Sequence, residues 1–182
     1  MRRNHRFTPG FTLIELLVAL GVVAVLACVA LPAFSSAAAR AHAGAAKVAF
    51  GETWLAAVRH SALTGTEVVV CPAPAGSCEP GIDWSGGWIA FADVDGDRLH
   101  SPQERVLKRV EALDGDIRLR STPGRQRLVF QPGGGNAGSN VTFTLCRAGD
   151  PGSASTLVMS NEGRLRQDTA SGKAARDCAY GH

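Results

Sequence analysis

Charge is missing from 24 consecutive residues of this chain, Leu16 to Ala39. A helix rises about 1.5 Å per residue, so ~20 such residues cross the ~30 Å hydrocarbon core of a bilayer. The features of a cleaved secretory signal are missing as well. The run outlasts the roughly 7 to 15 apolar residues of such a signal, it passes into a helical pattern without a small-residue cleavage site, and its glycine lies ahead of it. A catalytic constellation is also lacking. His5 precedes the span, His42 and His60 fall on a helical stretch, His100 lies in an acidic segment and His182 is terminal, with no serine or cysteine motif around any of them. No enzyme is expected. A zinc site needs closely spaced ligand pairs, and no second pair joins Cys71 and Cys78. Gly133-Gly134-Gly135 has no phosphate-loop lysine and is read as a turn.

What is present begins just ahead of the span, where Arg2, Arg3 and Arg6 are followed by Gly10, Phe11 and, five residues after the glycine, Glu15. An ionisable group within a membrane helix costs roughly 2.5 kcal/mol or more and normally has a partner. Gly10-Phe11-Thr12-Leu13-Ile14-Glu15 resembles the prepilin processing site of type IV pilins and type II secretion pseudopilins. The resemblance implies that a prepilin peptidase cuts after Gly10 and methylates the new terminus at Phe11. Glu15 would then pair with the N-terminal amine of a neighbouring subunit in a filament. Pro32 resembles the helix-bending proline of many pilins.

The basic residues ahead of the span place that end in the cytoplasm by the positive-inside rule, the span in the inner membrane and everything after Ala39 in the periplasm. Loss of the leader removes three arginines and leaves a chain of formal net charge zero. Cys28 reads as a small apolar residue of the span. The other four cysteines allow three pairings. Cys71 with Cys78 and Cys146 with Cys178 is the favoured set, because the first closes a short Pro/Ala/Gly/Ser loop and the second pins the C-terminus to a strand.

Four parts follow from this: a leader at 1–10, a transmembrane and assembly helix at 11–39, its periplasmic continuation at 40–65, and a β-sheet domain at 66–182. Phe50, Trp54, Ala57 and Val58 recur at helical spacing, and Gly65 ends the helix. Short β-rich runs then occupy 68–71, 88–92, 106–113, 117–120, 128–131, 141–145, 156–160 and 164–167, with no second helix expected. The order of Cys71-Pro72, Gly87-Trp88-Ile89-Ala90-Phe91, Phe130-Gln131-Pro132-Gly133 and Asn161-Glu162-Gly163-Arg164-Leu165-Arg166 resembles FimT/GspH minor pilins, and FimT more closely than the secretion subunit. That implies an α+β fold, a long N-terminal transmembrane helix packed on an antiparallel β-sandwich, and a minor subunit at or near a filament tip.

Two further clusters stand out. Asp93, Asp95, Asp97 and Glu104 occupy the acidic positions of a twelve-residue calcium loop, but Arg98 stands where that loop wants glycine. The other reading is an acidic turn whose side chains satisfy its backbone. No metal and no cofactor are assigned. The second cluster follows from charge segregation: residues 66–117 carry net −6 and residues 118–182 net +5, which suggests a basic face. On a strand Arg164 and Arg166 share one side about 6.6 Å apart, close to the phosphate spacing of a nucleic acid, and Gly163 would let an amide approach a phosphate. In FimT-type pilins a Gly-Arg-x-Arg signature is associated with DNA binding during natural transformation. The resemblance implies that role for Gly163, Arg164 and Arg166, with Lys173 and Arg176 extending the patch. The alternative pairs the arginines with Asp93, Asp95 and Asp97 on an edge strand. No aromatic platform accompanies them in sequence, so phosphate contacts indifferent to sequence are expected. The expected partners are other pilin subunits, the prepilin peptidase, the inner membrane and DNA. The alternative function is a pseudopilin of type II secretion that binds no DNA.

Overall fold

A computed structural model of the chain describes residues 10–138 and 140–181. The leader residues 1–9, His182 and the side chain of Pro32 lie outside the description. The chain divides into two compact units, one up to Ala38 and one from Ala39 onward. Helix α1, Leu13–Thr64, contributes to both.

In the N-terminal unit, Thr12 caps the helix: its hydroxyl accepts a hydrogen bond from the Glu15 amide at 3.3 Å. Thr12-x-x-Glu15 is a capping-box spacing, and a carboxylate in the first turn complements the helix dipole. The apolar side chains along this part are exposed, Phe11 to 88% and Ile14 to 68%. Length and composition suffice to cross a membrane, with a window of mean hydropathy 2.8 of which none is buried.

The second unit holds the rest of α1, eight strands and a short helix among the described residues. One antiparallel sheet comprises β1 (Glu67–Pro72), β2 (Trp88–Asp93), β3 (Val106–Val110) and β5 (Leu128–Phe130), in the order β3-β2-β1-β5. The other comprises β4 (Ile117–Ser121), β6 (Val141–Arg147), β7 (Asp150–Met159) and β8 (Leu165–Thr169), in the order β4-β6-β7-β8. Both sheets give one face to a shared core, into which α1 inserts Ala46, Phe50 and Ala57. Phe50 lies at its centre, 4.5 Å from Phe143 and 5.9 Å from Trp88 between ring centroids. The buried Trp88 Nε1 donates to Thr53 Oγ1 at 3.0 Å, so the largest side chains enter the core without an orphaned donor. The opposite face of the first sheet carries a second cluster, against which Ala73 and Cys78 of the disulfide-closed loop, Ala137 and His100 pack. Burial on both faces explains why β1 and β2 read as apolar runs instead of alternating.

One expectation fails. A second helix, α2 (Gly172–Tyr180), packs on β4, β6 and β7. Ser171 caps it through the Ala174 amide, and Gly181 closes it in the left-handed conformation at φ 79°. It buries only Ala175, Cys178 and Ala179, too small an apolar face to be seen as helical periodicity. A Cys146–Cys178 disulfide ties it to β6.

Candidate functional site

Glu15 is exposed in the first turn of α1, and no basic residue follows it along the helix before Arg40. Among the described residues of the span no basic side chain stands near it in sequence, and an ionisable group in an apolar medium normally has a partner. Gly10 and Phe11 are exposed just ahead of the cap.

The second site is built on β8, the edge strand of its sheet. Leu165 packs against the core, so its neighbours Arg164 and Arg166 project outward. Their side chains are 84% and 66% exposed. Each has an acidic partner, but not the ones expected from the acidic loop. Arg164 lies 3.9 Å from Glu162, and Arg166 lies 2.6 Å from Asp168. The Ser160 hydroxyl, ahead of Arg164, holds the Glu162 carboxyl below the usual carboxylate range. The Thr169 amide and then Arg166 do the same for Asp168. Exposed pairs of this kind are screened by solvent and contribute little, so a phosphate can displace them at little cost.

Gly163 plays a different part from the one expected. Its amide donates to Ser160 O at 2.9 Å, and the Arg164 amide donates to Ser160 Oγ at 3.2 Å, so both amides are spent on the turn. Glycine suits the position because φ is +78°, and the backbone of Gly135 lies in ordinary contact with it. A Cβ on Gly135 would in turn stand 2.5 Å from Asn161 O. The triple-glycine turn is thus a backbone seat for the turn that carries the arginines.

An aromatic residue does accompany them. The Trp54 indole donates to Gly163 O at 2.9 Å, a contact between residues 109 apart in sequence. Trp54 and Val58 on α1, Val158 on β7, and Arg164, Leu165 and Arg166 line one groove of about 710 Å³. Lys173 and Arg176 ride instead on α2, which among the described residues does not contact β8. Lys173 is paired with Asp177 at 2.7 Å.

The basic half of the sequence does not fold into one basic face. Arg118 and Arg120 donate to the last carbonyls of α2, where a helix end favours cations. Arg125 donates to Ala137 O and Arg127 to Arg98 O.

In the acidic loop, ligand atoms of Asp93, Asp95 and Asp97 lie within 4.8 Å of one another. Asp93 accepts from the Gly96 and Arg98 amides, Asp95 from Asp97, Asp97 from Leu99, and Glu104 from Val94 and Ser101. Arg98 takes the left-handed conformation, φ 62°, that the turn demands and that a glycine would adopt without strain. Burial raises the Asp93 carboxyl above its ordinary value against the pull of its two amides. The cluster's geometry is that of a turn stabilised by its own side chains.

Comparison with known proteins bears on the family. A family model described as type II transport protein GspH matches residues 52–163, ending one residue before Arg164. A model described as the prokaryotic N-terminal methylation motif matches residues 9–31, which hold Gly10, Phe11 and Glu15. The chain is 29% identical over 164 residues to the pilin-like protein PilA1 of Thermus thermophilus, spanning 86% of this chain and 96% of that one. Its fold is similar to that of the type IV minor pilin FimU of Pseudomonas aeruginosa in two crystal forms, with TM-scores of 0.52 and 0.53 at 15% identity. The alignments cover 78% of this chain and 99% and 94% of those chains.

Proposed function

This chain belongs to the type II transport protein GspH family, and from that premise we propose that it is a FimT-like minor subunit of a type IV pilus that is cut after Gly10 and methylated on Phe11. At the coarser level it is minor type IV pilin or pseudopilin-like, with an apolar helix of the membrane-anchored kind. Before assembly the N-terminus lies in the cytoplasm, α1 crosses the inner membrane, and the folded unit is periplasmic. The observation that carries the reading is Glu15, a carboxylate in the first turn of an exposed apolar helix whose N-terminal stretch matches the methylation motif; cleavage after Gly10 would free an amine at Phe11. Stacked subunits would neutralise each carboxylate with a neighbour's N-terminus. Pro32 would set the path of the helix.

The finer part of the proposal is DNA binding in natural transformation. Arg164, just ahead of the edge strand β8, and Arg166, on it, stand exposed with only weakly held acidic partners, which favours phosphate contacts. Lys173 and Arg176 would add longer-range attraction. A pseudopilin of type II secretion is the alternative, distinguished by the absence of DNA binding. Two measurements test the reading. The mass of the N-terminal peptide from the membrane fraction should correspond to methylated Phe11; an intact leader would refute processing. Duplex DNA binding by the full chain in detergent, over a salt series, should give a log–log slope near −0.9 per phosphate contact. An Arg164→Gln, Arg166→Gln variant that binds like the parent would remove these arginines from the site.

A further inference from the structure

We propose that the groove beside β8 accepts a single-stranded segment of DNA, with a base stacked on Trp54 and the flanking phosphates on Arg164 and Arg166. This rests on the DNA-binding reading above and specifies which form of DNA the site takes. The argument starts from the composition of the groove. Its floor is aromatic and aliphatic, from Trp54, Val58, Val158 and Leu165, and its rim carries Arg164 and Arg166 together with one acid, Glu162, which a phosphate on Arg164 would displace. A duplex keeps its bases stacked on one another and offers such a surface only phosphates, leaving the apolar floor unused. A single strand offers both chemistries at once, and base-on-aromatic stacking beside guanidinium groups is the general mode of single-strand binding. The volume, about 710 Å³, is in the range of ligand clefts.

Trp54 is suited to this task by how it is held. Its Nε1 bond to Gly163 O anchors the ring to the same turn whose backbone leads into Arg164. The side chain packs partly against the core and keeps the rest of its surface on the groove. Trp84 and Trp88, by contrast, are 0% exposed in the core. Ligand contact can therefore reach only one of the three tryptophans, which makes indole fluorescence a reporter of this groove.

The test uses the full chain in neutral detergent, titrated with a short oligothymidylate and with a mixed-sequence duplex of the same length. The single strand is expected to bind more tightly and to quench fluorescence, while the duplex leaves fluorescence unchanged. Trp54→Leu should weaken single-strand binding by roughly five- to 150-fold, the range of one stacked base, and spare duplex binding. Trp54→Phe keeps a stacking face without the Gly163 bond and should retain most of the preference, which separates stacking from a loss of fold. Equal affinity for the two forms, with unquenched fluorescence and an unaffected Trp54→Leu variant, overturns the inference while leaving phosphate binding by the arginines intact. Failure to bind either form overturns the DNA-binding reading itself, and the inference with it.

Discussion

Removing the Cys146–Cys178 disulfide should release α2 before the sheets unfold. The helix has nine residues, too few to be stable alone, and its buried contribution is limited to Ala175, Cys178 and Ala179. What holds it is the covalent tie to β6 and the carbonyl bonds from Arg118 and Arg120, at 3.0 and 2.8 Å. The disulfide spans 32 residues, against 7 for Cys71–Cys78. Loop entropy then assigns ~3.7 kcal/mol to the longer closure and ~2.5 kcal/mol to the shorter. At roughly 3 °C per kcal/mol for a domain of this size, the Cys146→Ala, Cys178→Ala variant should melt about 11 °C lower than the parent. The Cys71→Ala, Cys78→Ala variant should lose about 7 °C by the same conversion. Hydrogen exchange should find the amides of α2 unprotected in the first variant while those of β6 and β7 remain protected. If the short-loop variant is the less stable of the two, or if α2 stays protected without its tie, the account of how this helix is held is wrong.

Three other outcomes follow. Phe50→Ala removes the ring around which Phe143, Trp84 and Trp88 gather, and should cost about 3–5 kcal/mol in denaturant unfolding, a large share of a typical domain's stability. Gly135→Ala forces a Cβ onto Asn161 O at a residue with φ 88°; a loss of about 1–3 kcal/mol and a disturbed Trp54 environment in fluorescence are expected. Asp93 has a folded pKa raised above its ordinary 3.8, so the stability it contributes is present below that value and is lost as pH rises through the folded one. Asp93→Asn should therefore flatten the pH dependence of stability just above the ordinary carboxylate range, measured by thermal melts.

The processing motif was legible because its chemistry is local: a glycine, an apolar run and one carboxylate within six contiguous residues. The strands were legible for a similar reason, since β-branched runs between turn residues need no knowledge of partners. Long-range pairing was not. Trp54 reads as one more position of a helical core stripe, and nothing near it in sequence points to Gly163, to which it bonds across 109 residues. The basic half of the chain read as a face because a count of charges does not say where each guanidinium points. Four of those arginines bond to backbone carbonyls instead. Helix α2 carried its caps in sequence, Ser171 and Gly181, but its apolar face is made of small residues and a cysteine whose partner is a strand away. Arg98 shows the converse: a residue type that departs from the calcium-loop pattern adopts the left-handed backbone conformation the turn requires.

The central claim is that Glu15 is an assembly group in a filament subunit. The most direct measurement is the amount of this chain in filaments sheared from cells carrying the parent, Glu15→Val or Glu15→Asp, each checked for removal of the leader. Processed chain present in sheared filaments for the parent, absent for Glu15→Val and partly restored for Glu15→Asp is the predicted result. Processed Glu15→Val chain at parental levels in those filaments would contradict the account.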